Sequence, residues 1–219
     1  DKLASSLGVD IKITKNIPLG SGMGGGSSNA ASVLVGLNKI WKAGLSAGEL
    51  AKLGAGLGSD VPFFIYNISF AQGLGRGEKI IPLKGLEKAK LWHILVVPRL
   101  NVSTRMIYQA WDIREKGIKP RLTKASCNVK IPHRFLSNSI GGRELGFLKN
   151  DLEDITSSFY PEVAFIKEKL SDLGVQAVLM SGSGPTVFGI VSSKGAAATL
   201  YRQLRRINGA WRLFIASTI

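Results

Sequence analysis

A chain of 219 residues with 45% hydrophobic and 20% charged residues can bury a substantial core, which excludes a disordered or fibrous protein. Its apolar runs fall short of the roughly 18 residues that cross a bilayer, and its first residues, DKLASSLGVD, lack the basic and hydrophobic regions of a secretory signal; the expected location is the cytoplasm. A net charge of +14 favours anionic partners, yet the lysines and arginines are scattered rather than interleaved with aromatics as on a single-strand binding surface.

In chain order, Val9, Ile11 and Ile13 alternate with Asp10, Lys12 and Thr14, which predicts a strand. It leads into PLGSGMGGGSSNAAS, residues 18–32, where glycines stand at 20, 22, 24, 25 and 26. Glycines let backbone N–H groups converge on an anion, and a helix behind them adds its dipole. Such a helix is predicted from about Ser28, because Ala30, Val33, Leu34, Leu37, Ile40 and Trp41 repeat at three and four residues. A flexible glycine-serine linker has a similar composition but seldom stops at a well-formed helix start. The pattern therefore points to a phosphate-binding loop.

Gly20, Gly22 and Gly25 match GxGxxG, but the dinucleotide fingerprint requires a following strand with an acidic residue. Here a second helix follows, with a capping-box pattern at Ser46 and Glu49, an apolar stripe at Leu50, Leu53 and Leu57, and a stop at Gly58. The P-loop pattern is absent too, since no lysine lies inside the loop. Both common nucleotide folds are disfavoured.

Asp60, in Gly58-Ser59-Asp60, stands ahead of Val61 to Tyr66, an apolar run predicted to be a strand. As an isolated pattern it reads as a turn or cap aspartate, whereas its place after the phosphate-loop helices points to catalysis. Residues 69–83 predict a hairpin, and 82–90 a crossing into a second unit with a strand at 91–97 and a helix from near Ser103. His93 lies in that strand and reads as packing; Cys127 and His133 fall in a basic irregular region at 117–134 with no metal or nucleophile pattern around them. Helices near Asn150 and at 161–173 precede two strands that flank Ser181-Gly182-Ser183-Gly184-Pro185, and a last helix leads to a strand at 211–216. This order predicts an α+β layer similar to the ferredoxin-like arrangement.

Together PLGSGMGGGSSNAA, LGSDVPFF and MSGSGPTVF, with LNKIW, GRGE and NDLE, resemble the GHMP small-molecule kinase superfamily over nearly the whole chain. Within it they resemble the 4-diphosphocytidyl-2-C-methyl-D-erythritol kinase family rather than homoserine, mevalonate or galactose kinases. The resemblance implies a two-domain α+β architecture: an incomplete N-terminal domain like ribosomal protein S5 domain 2 over 1–88, and a ferredoxin-like C-terminal domain over 89–219. It implies ATP-dependent phosphorylation of an alcohol in the non-mevalonate isoprenoid pathway. The ATP phosphates would be wrapped by Pro18, Leu19, Gly20, Ser21, Gly22, Met23, Gly24, Gly25, Gly26, Ser27 and Ser28. Asp60 would be the catalytic carboxylate, in reach of the acceptor hydroxyl. Thr104 and Tyr108 would meet the cytidine diphosphate-linked polyol, and Gly182, Ser183 and Gly184 would form the third glycine motif. Mg2+ is implied with ATP, and no ligand for it is assigned beyond Ser28.

Family members begin with strands that carry a catalytic lysine, and this sequence has no counterpart of it. Weak or absent kinase activity of the chain as given is therefore expected, with an exposed sheet edge where those strands would pair. The competing readings are another GHMP kinase with a different alcohol, or a noncatalytic nucleotide- or RNA-binding module drawing on the positive charge.

Overall fold

The computed structural model describes residues 8–116, 149–175 and 177–219. Cys127, His133 and the basic region 117–134 lie outside them. The described backbone divides into two compact units, one formed by residues 8–19, 24–89 and 219, the other by 20–23, 90–116, 149–175 and 177–218.

In the first unit, helix α1 (Gly25–Ile40) is followed by α2 (Ala47–Leu57), α3 (Val61–Tyr66) and a hairpin of β1 (Ala71–Leu74) and β2 (Lys79–Pro82). Helix α2 starts at the predicted capping box: Ser46 Oγ accepts from the Glu49 N–H while the Glu49 carboxylate accepts from the Ser46 N–H. Asn38 fixes the connection before it, its side chain bonding both the N–H and the C=O of Leu45. Ala31, Leu50, Val61 and Ile65 form the buried core. Gly54 permits that packing, because a Cβ there would lie 2.8 Å from side-chain carbons of Val61 and Ile65.

Two sequence expectations are corrected here. Residues 61–66 form helix α3, not a strand: Pro62 suits a first helical turn, and Val61 and Ile65, four residues apart, bury one face against α1 and α2. The run VPFFIY is apolar throughout, so no period in it could decide between the two. Residues 9–14 form no strand among the described residues. Val9, Ile11 and Ile13 are 43–52% exposed, and alternation without a paired neighbour does not make a ladder.

The second unit contains β3 (Trp92–Val97), α4 (Thr104–Lys116), α5 (Glu153–Phe159), α6 (Pro161–Asp172), β4 (Ala177–Met180), β5 (Val187–Val191), α7 (Lys194–Ile207) and β6 (Arg212–Ser217). The sheet order is β4-β5-β3-β6, with every neighbouring pair antiparallel, which is the ferredoxin-like topology. Ile94 and Val96 of β3, Val187 of β5 and Met180 of β4 turn one sheet face toward Val163, Ile166 and Leu170 of α6 and Ala197 and Leu204 of α7. Local signals set these helices: Pro161 opens α6, Gly174 follows it at φ 82°, and Ser193 Oγ accepts from the Ala196 N–H at the start of α7. Among the described residues no helix is long and apolar enough to cross a membrane.

His93 alternates with Ile94 along β3, and its ring meets that of Phe188 edge-on at 5.9 Å. Burial pushes its pKa below the ordinary value of 6.5. The unfolded chain therefore takes up a proton as pH falls through about 6.5 while the folded protein does not, so stability is lost as pH falls below that value. Melting temperatures between pH 7.5 and pH 5 should fall more steeply for the native chain than for His93→Gln; equal slopes would contradict this.

Candidate active site

Three alternate glycines shape the loop ahead of α1. Gly20, Gly22 and Gly24 take left-handed φ values of 63°, 74° and 65°, the glycine conformation on which anion-binding nests draw. Gly24 is the N-cap of α1, which starts at Gly25 rather than near Ser28, and no side chain caps it. The first-turn N–H groups and the dipole are thus left for an anion. A Cβ at Gly24 would lie 2.9 Å from the Phe64 ring, and one at Gly25 2.9 Å from Ile17. Lys15 Nζ donates to the Gly25 C=O at 3.0 Å, which brings a positive charge to the same helix end. Ser28 donates its hydroxyl proton to the Gly25 C=O at 3.1 Å, and its oxygen retains lone pairs that can accept or ligate.

The turn that carries Asp60 lies beside this helix start, since a Cβ at Gly58 would be 3.9 Å from Ser27 Oγ. Asp60 precedes α3 but caps nothing: its side chain makes no bond to the helix, and Ser59 Oγ donates to its Oδ1 at a long 3.3 Å. An exposed carboxylate with only that partner among the described residues is not explained by turn formation. It is a hard oxygen base with free lone pairs.

In the second unit, residues 20–23 interlock with the turn between β4 and β5. Ser181 Oγ donates to the Gly22 C=O at 2.9 Å. A Cβ on Gly22 would stand 2.3 Å from the Ser181 carbonyl oxygen and 2.9 Å from that of Gly184, so the two glycine motifs touch backbone to backbone. Gly182 and Gly184 are left-handed at 56° and 81°, and the Gly184–Pro185 peptide is cis. Thr104, at the start of α4, shares a hydrogen bond of 2.9 Å with Ser183 Oγ. One turn later Tyr108, 52% exposed, borders a cavity of about 520 Å³ together with Trp111, Asn150, Ser181 and Gly182. Thr104, Tyr108, the third glycine motif and residues 20–23 therefore come together within this unit. Asp60 and residues 24–28 belong to the first.

No group of three His, Cys, Asp or Glu side chains that could hold a metal ion occurs among the described residues. Mg2+ that arrives on nucleotide phosphates needs only one or two protein oxygens, and Ser28 Oγ is a hard donor of that kind. The donor set fits a nucleotide-borne ion.

Comparison with known proteins agrees with this chemistry. Residues 1–67 match the model of the GHMP kinases N terminal domain, and residues 139–210 that of the GHMP kinases C terminal. The 4-diphosphocytidyl-2-C-methyl-D-erythritol kinase of Syntrophotalea carbinolica is 42% identical over all of this chain and 72% of its own length. That of Shouchella clausii is 44% identical over 90% of this chain and 63% of its own length. The chain thus spans from just under to just over two thirds of these relatives. Among solved structures, a 4-(cytidine 5'-diphospho)-2C-methyl-D-erythritol kinase superposes with a TM-score of 0.72 at 31% identity, covering 93% of this chain and 68% of that one. A homoserine kinase from Cytophaga hutchinsonii, 18% identical with a TM-score of 0.66, shares the fold over 94% of this chain and 68% of its own.

Proposed function

We propose that this chain, which belongs to the 4-diphosphocytidyl-2-C-methyl-D-erythritol kinase family of the GHMP kinases, transfers the γ-phosphoryl group of ATP to the 2-hydroxyl of 4-diphosphocytidyl-2-C-methyl-D-erythritol. The observation that carries this reading is the uncapped start of α1 behind the left-handed glycines, next to a turn whose carboxylate has no structural task.

ATP would enter with its phosphates on the backbone N–H groups of residues 18–28, where the α1 dipole and the Lys15 ammonium offset their charge. Asp60 would accept the proton of the acceptor hydroxyl as its oxygen bonds to the γ-phosphorus; the bond from that phosphorus to the β-γ bridging oxygen breaks, and ADP leaves. Mg2+ borne by the nucleotide, with Ser28 Oγ as a protein donor, would supply further charge neutralisation at the phosphates. Gly182, Ser183 and Gly184 support the loop through Gly22, and Thr104 orients Ser183. Tyr108 offers an exposed ring on which the cytosine of the acceptor can stack.

Stacking of a base on an aromatic ring contributes about 1–3 kcal/mol, so Tyr108→Ala should weaken CMP binding roughly 5- to 150-fold. ATP affinity should stay unchanged. Calorimetric titration with each nucleotide checks this, and equal CMP affinity in both proteins would remove the cytidine assignment. Mass spectrometry of the acceptor after incubation with Mg-ATP tests the reaction itself: one added phosphate supports it, and an unmodified acceptor beside another phosphorylated alcohol would move the chain to a different GHMP activity.

A further inference from the structure

The segment Asn150-Asp151-Leu152-Glu153 has no part in the chemistry above, yet it reaches the third glycine motif from behind. Asn150 Nδ2 donates to two carbonyls at once, Met180 at 2.9 Å and Gly182 at 2.7 Å, while its Oδ1 accepts from the Leu152 N–H at 3.0 Å. Glu153 takes the other side of Met180, accepting its N–H at 2.8 Å, and is itself paired with Lys167. One turn further along α5, the fully buried Thr156 donates to the Ser183 C=O at 3.2 Å. Backbone groups at 180, 182 and 183 are thus held from one short stretch of chain.

We propose that Asn150 is a positioning residue for the phosphate site, fixing the Ser181–Gly184 turn so that it can hold Gly22 and the nucleotide loop in place. The inference rests on the kinase reading above. Its physical basis is the donor inventory: a carboxamide presents two N–H donors on one nitrogen and an acceptor beside them, and in Asn150 all three are used. The turn needs such a brace because Gly182 and Gly184 are both left-handed, a conformation glycine permits but does not enforce. From Asn150 through Gly182 and Ser181 to the Gly22 carbonyl, the connection is hydrogen bond and covalent chain throughout. A displacement of the turn therefore reaches the nucleotide loop directly.

Asn150→Ala removes both donors; Asn150→Asp keeps the shape but faces two carbonyl oxygens with a carboxylate. Mg-ATP affinity should fall about tenfold in the alanine variant, and further in the aspartate variant at pH 8. The two carbonyl oxygens facing the introduced carboxyl favour its protonated form, which can donate one bond again, so lowering the pH to 5 should recover affinity several-fold relative to the alanine variant at the same pH. Hydrogen exchange supplies a readout independent of ATP: the Met180, Ser181 and Gly184 amides, which donate to Glu153, Thr186 and Ser181, should lose protection while β3 and β6 keep theirs. Thr156→Val, which removes the Ser183 link alone, should give a smaller change of the same kind should the Asn150 variants not fold. Unchanged exchange at the turn in folded variants, or equal ATP affinity at both pH values for native and aspartate proteins, would overturn the proposal. A native chain that binds no ATP would overturn the kinase reading instead, leaving the exchange experiment to decide the brace.

Discussion

Gly22→Ala should abolish measurable Mg-ATP binding. The residue sits at φ 74°, where an L side chain is strained by about 1–2 kcal/mol, and its Cβ would stand 2.3 Å from the carbonyl oxygen of Ser181. That obstacle is backbone, as is the Gly184 carbonyl at 2.9 Å, so no rotamer change relieves it. The two glycine motifs must separate, the Ser181–Gly22 hydrogen bond is lost, and the backbone of the loop shifts with it. An affinity loss of 100-fold or more is expected, about 2.8 kcal/mol at 1.4 kcal/mol per tenfold. Gly36→Ala is the control: it lies inside α1 with nothing within 4 Å of its Cβ position, and should stabilise the protein by up to about 1 kcal/mol with ATP binding intact. Isothermal titration and thermal melting of the two variants separate a shaped loop from a merely glycine-rich one. Equal ATP affinity in both would contradict the loop assignment.

Asp60→Asn should leave the fold and ATP binding intact and reduce turnover about 10²- to 10⁴-fold, the usual contribution of a positioned general base. The amide keeps the size of the carboxylate and can still accept from Ser59 Oγ, but it cannot take a proton. Because Asp60 makes no capping bond to α3, its replacement should shift the melting temperature little. Steady-state kinetics with ATP and acceptor varied in turn check this, the loss falling on kcat rather than on the KM for ATP. Turnover within tenfold of the native chain would remove Asp60 from the chemistry.

What was legible in the sequence is what is encoded over a few residues. Ser46 and Glu49 form their capping box, Pro161 and Gly174 bound α6, and the strands around Ser181–Pro185 lie where alternating and apolar runs put them. The exceptions share a cause. Whether VPFFIY becomes helix or strand depends on Val61 and Ile65 meeting α1 and α2, and whether residues 9–14 form a strand depends on a partner; neither is a property of the segment itself.

The site followed the same division. Each glycine motif was readable as a turn, and a helix was readable behind the first, although it begins at Gly25 rather than near Ser28. That Ser181 would bond Gly22 across 159 residues was not, and neither was the reach of Asn150 to the Met180 carbonyl 30 residues away. Nor did the sequence signal that Lys15 would reach the Gly25 carbonyl ten residues on. Of these, NDLE carried the strongest available signal, because an asparagine just ahead of a short helix ordinarily serves that helix alone, and this one serves a distant turn as well.

The most direct test of the kinase reading is magnesium-dependent ADP release from ATP by this chain, measured with and without 4-diphosphocytidyl-2-C-methyl-D-erythritol and repeated with Asp60→Asn. ADP release that rises with the acceptor, however slow, and disappears in the variant is the expected result. Release indifferent to the acceptor, or undiminished in Asp60→Asn, would contradict it.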